Sequence, residues 1–158
     1  IRYPRGNTNG NEISITNETL DIGKSVTIHK GAKIAILVFG ELIKNVVDIS
    51  KKLSLTLVNM RFAKPLDTKK IEELSKTHQY FITIEDNVVT GGAGSAVSEY
   101  INDNGIKIDI TNIGIPDRII SHGSQDELYS EIGLDKKTLE IKINEIYNLI
   151  SENKKVVD

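Results

Sequence analysis

Ile34-Ala35-Ile36-Leu37-Val38-Phe39 is a run without one polar side chain, and such continuous apolar runs mark strands buried on both faces of a parallel sheet. Directly after it, between Glu41 and Leu53, the residues Leu42, Val46, Ile49 and Leu53 recur every three or four positions. That is the spacing of one helix face turned toward a core. A buried strand followed by an amphipathic helix is the building unit of an α/β fold.

The same alternation runs outward along the chain. Leu55 to Met60, Tyr80 to Ile84 and Ile106 to Ile113 read as further strands. Pro65 biases Lys64 toward an extended backbone, and Asp67 can cap a second helix reaching about Thr77. Gly91-Gly92-Ala93-Gly94 opens a third helix that ends near Asn104-Gly105. Ser124-Gln125-Asp126-Glu127 matches a capping box whose helix stops at Gly133. A last helix begins at Asp135 and carries Leu139, Ile143, Ile146 and Ile150 as its apolar stripe. Upstream, Val26 to His29 adds an antiparallel edge strand. Because each crossover helix must pack back on the sheet, the fold expected is three-layer α/β/α. Its sheet is mixed and mostly parallel, with about five strands.

Composition closes off several functions. The 158 residues include no cysteine, which excludes a disulfide framework, a thiolate nucleophile and a cysteine zinc site. The three histidines, His29, His78 and His122, are widely scattered. Twenty Lys and Arg stand against 22 Asp and Glu, and no basic run flanks aromatic residues, so no nucleic-acid partner is expected. No apolar run approaches the roughly 20 residues that cross a bilayer. The amino end, Ile1-Arg2-Tyr3-Pro4-Arg5, lacks a signal-peptide pattern. The chain reads as soluble and intracellular, and its start without methionine reads as a cut from a longer sequence.

Certain clusters are more specific in combination than any one alone. They are Arg2-Tyr3-Pro4-Arg5-Gly6, the segment Val58-Asn59-Met60-Arg61-Phe62-Ala63-Lys64-Pro65-Leu66-Asp67, Glu85-Asp86-Asn87 through Gly91-Gly92-Ala93-Gly94-Ser95, and Asn112-Ile113-Gly114-Ile115-Pro116-Asp117. Together, over nearly the whole chain, they resemble the C-terminal, transketolase-like domain of 1-deoxy-D-xylulose-5-phosphate synthases. Transketolases and the beta subunits of 2-oxoacid dehydrogenases resemble it more loosely.

The resemblance implies a thiamine-diphosphate-dependent transferase that condenses pyruvate with glyceraldehyde 3-phosphate, releases carbon dioxide and feeds isoprenoid and thiamine biosynthesis. It implies a homodimer in the cytoplasm, or in a plastid if the source is a eukaryote. Thiamine diphosphate and Mg2+ would be held by upstream domains of the same chain, so no catalytic, cofactor or metal residue is expected here, and the fragment alone is expected to be inactive. Residues 1-22 would end the preceding pyrimidine-binding domain, 23-151 would form the transketolase-like domain, and 152-158 a polar tail. Arg5 is the one site residue the resemblance supplies, as a ligand for the acceptor's phosphate, where a guanidinium fork suits phosphate oxygens.

The remaining clusters have plainer readings. Gly91 to Gly94 is read as tight packing, with anion binding at the helix start as the alternative. Glu85 and Asp86 are read as solvated carboxylates or an interface network. Arg61 and Lys64 are read as surface ion-pair partners around the Asp67 turn, with an anion patch as the alternative, and His122-Gly123 as a loop. A stand-alone regulatory module with an anion pocket between Glu85 and Gly94 is the rival to an assembly and active-site-rim domain.

Overall fold

The computed structural model describes residues 19–152. Arg5, most of the expected linker and nearly all of the polar tail lie outside the described residues. Five strands, β1 (Val26–His29), β2 (Lys33–Phe39), β3 (Thr56–Asn59), β4 (His78–Val88) and β5 (Asp109–Ile115), alternate with helices α1 (Ile43–Lys52), α2 (Thr68–Ser75) and α3 (Ala93–Asp103); α4 (Gln125–Ile132) and α5 (Lys136–Glu152) follow. They form one sheet in the order β1-β3-β2-β4-β5. The pairs β2–β3, β2–β4 and β4–β5 are parallel, and β1 joins β3 antiparallel.

The continuous apolar run explains why β2 is central. Its even and odd side chains feed two separate cores, as strand alternation requires. Ile34, Ile36 and Val38 pack with Leu42, Val46 and Ile49 of the α1 segment and with Leu139 and Ile143 of α5. Ala35, Leu37 and Phe39 face the other way, against Ile71 and Leu74 of α2 and Val97 and Ile101 of α3. Helices therefore cover both faces, and the three-layer expectation holds.

The structure refines the sequence pattern in particular places. β1 is the antiparallel edge strand expected, and its neighbour, which the sequence left open, is β3. The Gly31 N–H donates to Thr56 Oγ1 at 2.9 Å, tying the connection to β3. β4 continues beyond Ile84, through Glu85-Asp86-Asn87 to Val88, which resumes pairing with Ile115 after an irregularity. β5 begins at Asp109, later than the apolar alternation from Ile106 implies, since Ile106 and Ile108 pack against the α2/α3 core without joining the ladder.

Asp67 is more than a helix cap. Its Oδ1 accepts from the Lys70 N–H at 3.3 Å, while its Oδ2 accepts from both the N–H and the hydroxyl of Ser25 at 2.8 Å. One carboxylate thus fastens the start of α2 to the residue before β1. Burial pushes this carboxyl upward, but the Ser25 and Lys70 hydrogen bonds outweigh it and hold the group below its ordinary value of 3.8. A depressed carboxyl contributes stability above its unfolded-state value and loses it as pH falls through the folded one. Asp67→Ala is expected to cost about 2 kcal/mol, a lost cap plus a lost charged anchor. Urea unfolding checks this: a loss at neutral pH that shrinks on acidification is the expected result.

Candidate functional site

From β2 the chain crosses to β3 on one side and then returns to β4 on the other. Where successive crossovers diverge in this way, open α/β sheets leave a crevice outside the carboxyl ends of the strands. A cavity of about 620 Å³ occupies that position here. Phe39 at the end of β2, Gly40 and Glu41 after it, Arg61 after β3, and Glu85, Asp86 and Asn87 of β4 line it together with the start of α3.

Glu85 is 2% exposed. Its Oε2 accepts from the Ala93 N–H and its Oε1 from the Gly94 N–H, both at 2.8 Å. The carboxylate therefore sits at the amino end of α3, where unpaired N–H groups and the helix dipole favour negative charge. This identifies what the glycines do. A Cβ on Gly92 would lie 2.4 Å from Glu85 Oε2, and one on Gly94 would lie 2.4 Å from Thr83 Oγ1. The helix approaches β4 this closely only with hydrogen at both positions. Beneath it, Thr83 Oγ1 donates to Asn112 Oδ1 at 2.7 Å and Asn112 Nδ2 donates to Ser98 Oγ at 2.9 Å.

Packing is thus the role of the glycine-rich segment, and the anion position at the start of α3 is taken by the chain's own carboxylate. That corrects the reading of Glu85 as solvated. It also removes the helix N–H pair on which a regulatory anion pocket at Glu85 to Gly94 would depend.

Asp86 lies on the other side of the cavity and meets α4. Tyr129, the buried residue of that helix, donates its hydroxyl to Asp86 Oδ2 at 3.0 Å. Gln125 Nε2 donates to the same tyrosine oxygen at 3.0 Å and to Glu41 Oε1 at 3.1 Å. Burial first, and then the Asp86 charge, push the Tyr129 phenol up to about 12, so it stays a neutral donor. Neither Tyr129 nor Gln125 was singled out from the sequence. Their only local signal is a four-residue spacing on a capped helix, and their partners lie far away along the chain.

Arg61 is the cation among the cavity's described lining residues. The surface ion pairs expected for it and Lys64 are absent among the described residues. Its backbone holds a φ of +59°, a left-handed conformation uncommon for a side-chain-bearing residue, and its N–H donates to Asn59 Oδ1 at 3.1 Å. Arg61 is exposed and lines the cavity, and left-handed backbone of this kind clusters at functional sites. His29 and His78 lie elsewhere. Their Nδ1 atoms are 2.9 and 3.1 Å from the Leu55 and Leu74 carbonyls. His122 sits in an exposed loop.

Among the described residues no set of three or more His, Asp or Glu side chains converges to hold a metal ion, and the amino end of α3 is occupied by Glu85. No helix among them is long and apolar enough to cross a membrane.

Comparison with known proteins agrees with this architecture. Residues 23–139 match the family model "Transketolase, C-terminal domain". A 1-deoxy-D-xylulose-5-phosphate synthase of Pseudoalteromonas translucida is 45% identical over 94% of this chain, which covers 24% of that protein. The protein of the same name from Haemophilus influenzae Rd is 46% identical over 90% of the chain and 23% of its own length. The chain therefore spans about a quarter of the length of the curated relatives it matches. A solved split-gene transketolase, an inactive beta4 tetramer, shares the fold with a TM-score of 0.75 at 21% identity, over 85% of this chain and 46% of its own. With a five-stranded mixed sheet, helices on both faces and a family match over most of its length, the chain belongs to the transketolase C-terminal domain family.

Proposed function

We propose that this chain is the C-terminal domain of a thiamine-diphosphate-dependent 1-deoxy-D-xylulose-5-phosphate synthase, a cytoplasmic homodimer in which it helps form the active-site rim and the dimer contacts. The observation that carries the reading is identity of 41–46% over 90–94% of the chain to proteins of that name. A transketolase proper is the weaker reading, since the solved transketolase is 21% identical and supports the fold alone. The pathway proposed is isoprenoid precursor synthesis. Thiamine enters as the parent of the cofactor, and a role in thiamine biosynthesis is not part of the proposal.

Residues 1-22 are proposed to end a preceding domain and to carry Arg5 to the phosphate of glyceraldehyde 3-phosphate. Arg61 is proposed to meet the same phosphate from the cavity side, where its guanidinium has no internal ion-pair partner among the described residues and is matched in geometry to phosphate oxygens. Thiamine diphosphate, bound with Mg2+ by other parts of the longer enzyme, supplies the carbon chemistry. This domain's residues bind and orient the acceptor, and Glu85 and the glycines fix α3 as a wall of the cavity.

The test is product formation from pyruvate and glyceraldehyde 3-phosphate with thiamine diphosphate and Mg2+. The full-length enzyme carrying this domain is expected to form 1-deoxy-D-xylulose 5-phosphate, and the 158-residue chain alone to form none. Turnover by the isolated chain, or none by the full-length enzyme, would overturn the proposal.

A further inference from the structure

At φ +59°, Arg61 holds a backbone conformation that a glycine would adopt without steric cost and an arginine does not. It is the middle residue of a three-residue turn, which Phe62 closes by donating its N–H to the Met60 carbonyl at 2.6 Å. Turns of this kind with a positive φ at the centre are the rarer and more strained hand. Strained backbone persists where its surroundings over-determine it, so the contacts around the turn identify what keeps the arginine in place.

Upstream, the turn is anchored in the sheet. The Met60 N–H donates to the Val38 carbonyl at 2.8 Å, and the Met60 side chain is fully buried in the core that β2 shares with α2 and α3. Among the described residues, the side chain that hydrogen-bonds to Arg61 is that of Asn59, whose Oδ1 accepts the Arg61 N–H at 3.1 Å. A carboxamide that accepts from the N–H two residues on closes a turn in the manner of a backbone carbonyl. Asn59 is the last residue of β3 and lies in register with Val26 on one neighbouring strand and Val38 on the other. The acceptor is therefore offered to Arg61 from a position that both neighbouring strands fix.

From this juxtaposition we infer that Asn59 is a positioning residue, holding Arg61 in the turn that lines the cavity and so setting affinity for the phosphorylated acceptor. The inference rests on the acceptor-phosphate reading above. With the bond made, the guanidinium is presented before the ligand arrives. Without it, the turn relaxes toward the negative-φ backbone that a residue with a side chain prefers, and the ligand has to restore it. Apparent affinity then falls with the fraction of molecules in which the turn is formed.

The experiment measures KM for glyceraldehyde 3-phosphate and for pyruvate in the full-length synthase carrying this domain. Asn59→Ala is expected to raise the acceptor KM roughly threefold to fivefold, the scale of one net hydrogen bond, and to leave the pyruvate KM as it was. Asn59→Leu keeps the side-chain volume without the acceptor oxygen and is expected to do the same, so it preserves the test if the alanine variant fails to fold. The double variant Asn59→Ala/Arg61→Ala separates positioning from general support of the fold. Once the guanidinium is gone, loss of Asn59 should raise the acceptor KM no further. An unchanged acceptor KM in a folded single variant, an equal rise for pyruvate, or the same rise in the Arg61→Ala background overturns the inference. Arg61→Ala alone separates the two levels. If it raises the acceptor KM while the Asn59 variants do not, only the positioning role fails. If it too leaves the acceptor KM unchanged, the acceptor-phosphate reading fails and the inference with it.

Discussion

Glu85→Ala is expected to destabilise the domain by roughly 3–4 kcal/mol, because two buried backbone donors lose a charged acceptor and nothing nearby replaces it. The carboxylate accepts from the Ala93 and Gly94 N–H groups, both at 2.8 Å, and is 2% exposed. Bringing a charge so far from water is unfavourable unless it is paired or hydrogen-bonded, and here the amino end of α3 supplies both donors and dipole. Removing it leaves those donors facing a void, since the glycines on which the close approach depends carry no side chain to fill it. Glu85→Gln keeps the volume and one acceptor oxygen, so its loss should be about half as large. For a domain of this size, the alanine variant should melt roughly 10 °C lower. Urea unfolding followed by circular dichroism measures the effect, and a loss under about 1 kcal/mol would mean that Glu85 is not what anchors α3.

Much of this architecture is legible in the sequence because it rests on local periodicity. The apolar run at Ile34 to Phe39, the stripe Leu42, Val46, Ile49, the Asp67 cap and the Ser124–Glu127 box each draw on residues within a few positions of one another. The features that escaped sequence reading depend on long-range partners. β1 pairs with β3 across about thirty intervening residues, and the Tyr129–Asp86 bond joins residues 43 apart. Glu85 shows the same difficulty at shorter range. A carboxylate at the end of a strand looks solvated until the fold folds the glycine-rich helix start, eight residues on, back over it. For Arg61 the sequence offers nearby charges as partners or an anion patch, and the structure places it among the residues that line the cavity, with no ion pair to it among the described residues.

The second large effect belongs to that arginine. Arg61→Ala in a full-length synthase removes a cation with no ion-pair partner among the described residues, so the loss should fall on the ligand and spare the fold. A charge-assisted, forked contact to phosphate contributes about 1.5–3 kcal/mol, or roughly a tenfold to hundredfold rise in KM for glyceraldehyde 3-phosphate. Pyruvate has no phosphate to lose, so its KM should stay constant, and unfolding should be unchanged because the side chain is exposed. Arg61→Lys should recover only part of the affinity, since a point charge lacks the planar fork.

The most direct measurement is therefore the acceptor saturation curve for formation of 1-deoxy-D-xylulose 5-phosphate by the full-length enzyme, with and without Arg61→Ala. The expected result is product from the unaltered enzyme, together with an acceptor KM at least roughly tenfold higher in the variant and an unchanged pyruvate KM. No product from the unaltered enzyme, or the same acceptor KM in both, would contradict the assignment of this domain to the acceptor side of a synthase.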